Sequence, residues 1–100
     1  MQIQIRTDQH VQHDASVVRH VETVLGSALG RFGEQITRIE VHLRDANGPR
    51  GGGHDRMCMI EARPAGRPPV AVTGKADTIA AAVSGAARKM QGLLSSALAK

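Results

Sequence analysis

The spacing of apolar residues along this chain switches between two and three-to-four, and each switch marks a change of local structure. In residues 36–45, ITRIEVHLRD, apolar and polar residues alternate from Arg38 to Arg44. Ile39, Val41 and Leu43 fall on one side; Arg38, Glu40, His42 and Arg44 fall on the other. That is the period of a half-buried strand. Upstream, Val17, Val18, Val21, Val24, Leu25, Ala28, Leu29 and Phe32 recur at three- and four-residue intervals after Asp14, a good helix N-cap. Gly26 and Gly30 lie off that stripe and leave it intact, and Gly33 is a plausible stop.

The remaining segments extend the pattern. Residues 2–6, QIQIR, place Ile3 and Ile5 on one face of a short opening strand, followed by the polar connection TDQHVQHD. Residues 56–63, RMCMIEAR, form a further strand, with Cys58, Ile60 and Ala62 inward and Met57, Met59, Glu61 and Arg63 outward. Pro68 and Pro69 exclude a central strand and mark a turn before a last short strand, VAVT, at 70–73. Asp77 or Thr78 then caps a helix that buries Ile79, Val83, Ala86, Ala87, Met90, Leu94 and Ala97. The order is β-α-β-β-β-α within one domain of residues 1–100.

A right-handed crossover makes the first two strands parallel, and strands two to four form an antiparallel meander. Both helices must bury their stripes on one sheet face. The fold class is therefore α+β, a two-layer sandwich with a four-stranded mixed sheet. With Phe32 as its one aromatic residue, the chain must build an aliphatic core.

The stretch GPRGGGHD at 48–55 tests the first chemical possibility, a phosphate-cradling loop. Lys and Ser/Thr should follow the second glycine, but His54 and Asp55 stand there, and the segment joins two strands instead of a strand and a helix. Its glycines suggest the most mobile internal connection, with Arg50 and Arg56 at its ends able to reach a phosphate if the loop orders on RNA. TGK at 73–75 lacks the earlier glycine of such a loop. The five histidines have no ligand spacing, so no metal and no cofactor are expected. Cys58 is the one cysteine, on a core-facing strand position where a thiol is inert. No serine sits in a nucleophile elbow, and the carboxylates are not clustered. No catalytic residue and no small-molecule substrate follow.

Charge points elsewhere. Thirteen Lys and Arg against nine Asp and Glu leave a net charge of +4, which favours a polyanion. Ten of those cations are arginine, the better bidentate phosphate donor. Without exposed aromatics the chain cannot stack splayed bases, so backbone and shape recognition of folded RNA remains, with no DNA expected. The candidate contacts are Lys75 at the start of the second helix, Arg88 and Lys89 within it, and Arg31 and Arg19 on or just after the first. Arg6, Arg38, Arg44 and Arg63 sit on the open sheet face. The opening residues lack the apolar core of a signal peptide, and no run of ~18 apolar residues exists to cross a membrane, so a cytoplasmic location is expected.

The element order, the opening MQIQI and the helix DASVVRHVETVL resemble the ribosome-associated hibernation-promoting factor and translation inhibitor family, also described as sigma-factor modulation proteins. The best local match is VTGKADTIAAAVSGAARKM, where Gly74, Lys75, Ala82, Val83, Lys89, Met90 and Leu94 fall on family positions. The resemblance implies a fold similar to double-stranded-RNA-binding domains. It also implies binding to the small ribosomal subunit near the decoding site, which blocks translation and preserves idle ribosomes in stationary phase or stress. Ending at Lys100, the chain resembles the family's short form. It departs in GSALGRF and QGLLSSALAK, which are nearly uncharged where the family carries lysines, and in Thr78 and Ala80, where the family has an acidic cap and an aromatic residue. These departures keep open an alternative: a binding module of the same fold that recognises another RNA or a protein.

Overall fold

The computed structural model describes residues 1–11, 13–45 and 55–98. Strand β1 (Gln2–Thr7) is followed by helix α1 (Ala15–Leu29), a 3-10 helix (Gly30–Gln35), β2 (Ile36–Asp45), β3 (Arg56–Pro64), β4 (Val70–Ala76) and α2 (Ile79–Ala97). The sheet order is β1-β2-β3-β4, with β1 parallel to β2 and the other pairs antiparallel. This is the expected α+β architecture.

Alternation along the strands builds the core. Ile39 lies opposite Ala62, Val41 opposite Ile60 and Leu43 opposite Cys58, and all six are buried. Val21, Leu25 and Leu29 of α1 and Ala82, Val83, Ala86, Ala87, Met90 and Leu94 of α2 cover them. The side chain of Asp14 caps α1 through Val17 N–H at 3.0 Å, and Thr78 Oγ1 caps α2 through Ala81 N–H at 3.1 Å. Each oxygen satisfies a donor that the first helical turn leaves without an intrahelical partner.

Four details differ from the sequence expectation. The α-helix stops at Leu29, and residues Gly30–Gln35 tighten into a 3-10 turn that still buries Phe32. The polar connection before α1 contains a buried anchor, Val11. Strand β4 continues past Thr73 to Ala76, because its last three residues pair with Arg56, Met57 and Cys58. Lys75 consequently belongs to β4 and not to the start of α2. The glycine-rich segment lies between antiparallel neighbours β2 and β3, as expected, but 46–54 lie outside the described residues, and with them Arg50 and the expected mobility.

The turn from β3 to β4 closes by Arg67 N–H donating to Pro64 O at 3.2 Å. Gly66, its third residue, has φ +73°, a region that glycine enters without the Cβ clash.

Candidate nucleic-acid interface

Alternation that buries the apolar strand residues necessarily turns their neighbours outward. With both helices on one side, the other side of the sheet stays open, and its residues form rows across the strands. One row holds Arg38 of β2 opposite Arg63 of β3; the next holds Gln4, Glu40, Glu61 and Ala71. The third holds Arg6, His42, Met59 and Thr73, and the fourth Arg44, Met57 and Lys75. Arg6, Arg38, Arg44 and Arg63 thus occupy the face expected of them, and Lys75 joins them there.

Two like-charged pairs directly opposite each other would be unfavourable. Here the arginine row lies beside the glutamate row, and the two compensate. Arg38 Nη2 donates to Glu40 Oε2 at 2.6 Å, while Arg63 lies 3.9 Å from Glu40 and 3.5 Å from Glu61. Arg6 Nε and His42 Nε2 approach Glu40 Oε1 at 3.9 and 3.8 Å. Partial burial pushes the Glu40 carboxyl up, but the Arg38 hydrogen bond and the charges of Arg38, Arg6 and Arg63 outweigh it, holding the group below its ordinary value. The fourth row has no such compensation. Arg44 and Lys75 are exposed and form no ion pair among the described residues, with half-buried Met57 between them.

The helical layer is arranged differently. Arg31 donates to Ser95 Oγ and lies over the Phe32 ring, 4.7 Å from its centroid, tying the 3-10 turn to α2. Lys89 Nζ donates to Thr73 O at 2.7 Å, occupying a carbonyl of the edge strand β4. Arg88 lines the shallow groove between the helices, together with Thr23, Val24, Ser27, Ala28 and Gln91. Arg19 is exposed one helical turn before Thr23. The five candidate residues therefore do not converge. Lys75 is on the sheet face, Lys89 at the β4 edge, and Arg88, Arg31 and Arg19 on the helical side. Charge composition singles them out one at a time; only the strand register brings Arg44 and Lys75 into one row.

Among the described residues, no group of three or more His, Cys, Asp or Glu side chains could hold a metal ion. No helix there is long and apolar enough to cross a membrane.

Comparison with known proteins identifies the lineage. The sequence matches the family model described as sigma 54 modulation protein / S30EA ribosomal protein over residues 3–100. The chain belongs to this family. It is a ribosome-associated family without enzymatic activity, in keeping with the expected absence of a catalytic site. No curated protein matches the chain in sequence. Among solved structures, a ribosomal subunit interface protein from Coxiella burnetii is similar, with 17% identity, a TM-score of 0.79 and 100% of each chain covered. The N-terminal domain of Protein Y from Thermus thermophilus is similar over 94% of this chain and 96% of its own, with 18% identity and a TM-score of 0.75. At such identities the structural likeness speaks for the fold: a mixed four-stranded sheet with two helices.

Proposed function

We propose that this protein binds the small ribosomal subunit, occupies its decoding channel through basic contacts to ribosomal RNA, and holds idle ribosomes inactive in the cytoplasm during stationary phase or stress. The observation that carries this reading is the family match across residues 3–100. The structural likeness to a ribosomal subunit interface protein from Coxiella burnetii supports it. The mechanism is occupancy. Cations displace the counterions condensed on RNA, so affinity falls steeply with salt. Lys75, Arg88, Lys89, Arg31 and Arg19 are the proposed contacts, and the exposed Lys75, Arg88 and Arg19 carry no ion pair among the described residues that would have to break first.

Sedimentation of stationary-phase extract through sucrose gradients tests the reading. The protein should travel with small subunits or whole ribosomes at low salt and leave them at high salt. Protein that stays at the top of the gradient at low salt refutes ribosome binding. It would favour the second reading, a module of this fold with another RNA or protein partner. The observation behind that second reading is the scarcity of cations on the helices: α1 carries Arg19 and α2 carries Arg88 and Lys89.

A further inference from the structure

The cations on the open sheet face are not equivalent. Around Glu40 and Glu61, Arg6, Arg38 and Arg63 are largely compensated and held in place. Further along β2, in the fourth row, Arg44 and Lys75 stand on either side of β3 without an ion pair among the described residues. Asp8, which follows β1 beside Arg44, has its carboxylate engaged by Asp45 N–H at 3.2 Å. Neighbouring strands are ~4.8 Å apart, which sets the backbones of these two residues about 10 Å from each other across Met57. Arg38 to Arg44 along β2 adds roughly 20 Å in the strand direction. The face is thus a basic surface with half-buried Met57 and Met59 at its centre.

We propose that this open sheet face is the principal RNA-binding surface of the protein, with Arg44 and Lys75 making the primary phosphate contacts across Met57. Arg6, Arg38 and Arg63, ordered by Glu40, form a second group of donors for the same backbone. The proposal rests on the reading that the partner is ribosomal RNA, and it names the surface that meets it. The family match makes RNA the partner argued for, and two features of the face fit it. Four of the five cations on the face are arginines, whose planar forks match phosphate oxygens in pairs. The methionines offer a low, polarizable apolar strip against which sugars and base edges can rest without the aromatic platforms that splayed bases need.

The test compares Arg44→Ala/Lys75→Ala with Arg19→Ala/Arg88→Ala in the full chain. Each is titrated on deproteinised small-subunit ribosomal RNA at several salt concentrations and sedimented with intact small subunits. These surface substitutions should leave the thermal midpoint within about 2 °C of the parent. The sheet variant is expected to bind the RNA about ten-fold more weakly near ~0.1 M salt. Its salt slope should fall by roughly 1.4–1.8, about 0.7–0.9 for each lost phosphate contact. A sheet variant with parental affinity and slope overturns the proposal, as does a larger loss in the helix variant. Parental RNA binding with loss of small-subunit sedimentation overturns it as well, by assigning the face to a protein. A parent protein that ignores deproteinised RNA also overturns it. If the parent binds this RNA with the sheet-dependent slope yet fails to sediment with small subunits, the ribosome reading falls and the surface assignment stands.

Discussion

Replacing Gly74 with alanine should damage this fold far more than the same change at any other of the described glycines. Gly74 is buried in β4 beneath α2, and its φ lies outside the left-handed region, so the requirement is for space. A Cβ there would lie 2.6 Å from Ala82 O, 2.7 Å from Ala86 N and 3.1 Å from Ala86 Cβ. Two of these neighbours are helix backbone, which cannot rotate away as a side-chain tip can. Real Cβ contacts essentially never fall below 3.0 Å, and 3.4 Å is ordinary. Helix α2 must therefore withdraw by roughly 0.4–0.8 Å, a gap that forfeits about a quarter to a half of the dispersion attraction of the contacts it opens. Those contacts include Ala82, Val83, Ala86 and Ala87, all buried. Overpacking typically costs about 1–3 kcal/mol, and the rigid neighbours put this case near the upper end. For a domain of this size that lowers the thermal midpoint by about 12–24 °C. Gly85 and Gly92, also in α2, have nothing within 4 Å of such a Cβ. Gly85→Ala and Gly92→Ala should instead stabilise by ~1 kcal/mol each through helix propensity. Thermal unfolding followed by circular dichroism measures all three. A Gly74→Ala protein as stable as its parent would refute the close approach of α2 to β4.

Further perturbations address the caps, the thiol and the charge network. Thr78→Ala removes the oxygen that accepts from Ala81 N–H and should cost about 1 kcal/mol in urea unfolding, while Thr78→Asp should retain the cap; equal losses in both would refute the capping role. Cys58 is fully buried, and burial pushes its thiol up to about 12, so a disulfide reagent at about pH 8 should label it only after denaturation; rapid native labelling would contradict its core position. Glu40 is held below its ordinary 4.5, so its contribution is fully present above that value and is lost as the pH falls through the lower folded value. The stability difference between the parent and Glu40→Gln should therefore shrink between about pH 7 and pH 3. An unchanged difference would place the effect outside its ionisation.

Residues 36–45 and 56–63 were legible because alternation is a local property: Ile39, Val41, Leu43, Cys58, Ile60 and Ala62 had to share a face, and all are buried. The end of β4 was not legible, since Gly74 and Lys75 have low strand propensity. Strand pairing with Cys58 and Met57 and the space required by α2 override that preference. Val11 escaped notice for a related reason. A single apolar residue in a polar stretch has no periodic partner, and only the tertiary fold shows that it closes the core. The break at Leu29, where φ reaches −118°, tightens the chain into the 3-10 turn that keeps Phe32 inside.

The distribution of charge asks for one more step than alternation provides. Alternation turned Arg38, Glu40 and Arg44 outward, but which of them would be compensated depends on register with β3 and β1. Register sets Glu40 beside Glu61, draws Arg6, Arg38 and Arg63 onto that pair, and leaves Arg44 level with Lys75. On the helical layer, Arg31 and Lys89 already donate to Ser95 and Thr73, so a phosphate there competes with an existing acceptor. At Arg44 and Lys75 it competes with water alone among the described residues. Hydration is lost in either case, but only the contacts of Arg31 and Lys89 also require an intramolecular hydrogen bond to be exchanged. Arg19 and Arg88 on the helices are equally without a bond to exchange among the described residues, but they stand apart from each other. Strand register, by contrast, sets Arg44 and Lys75 in one row that composition alone could not single out.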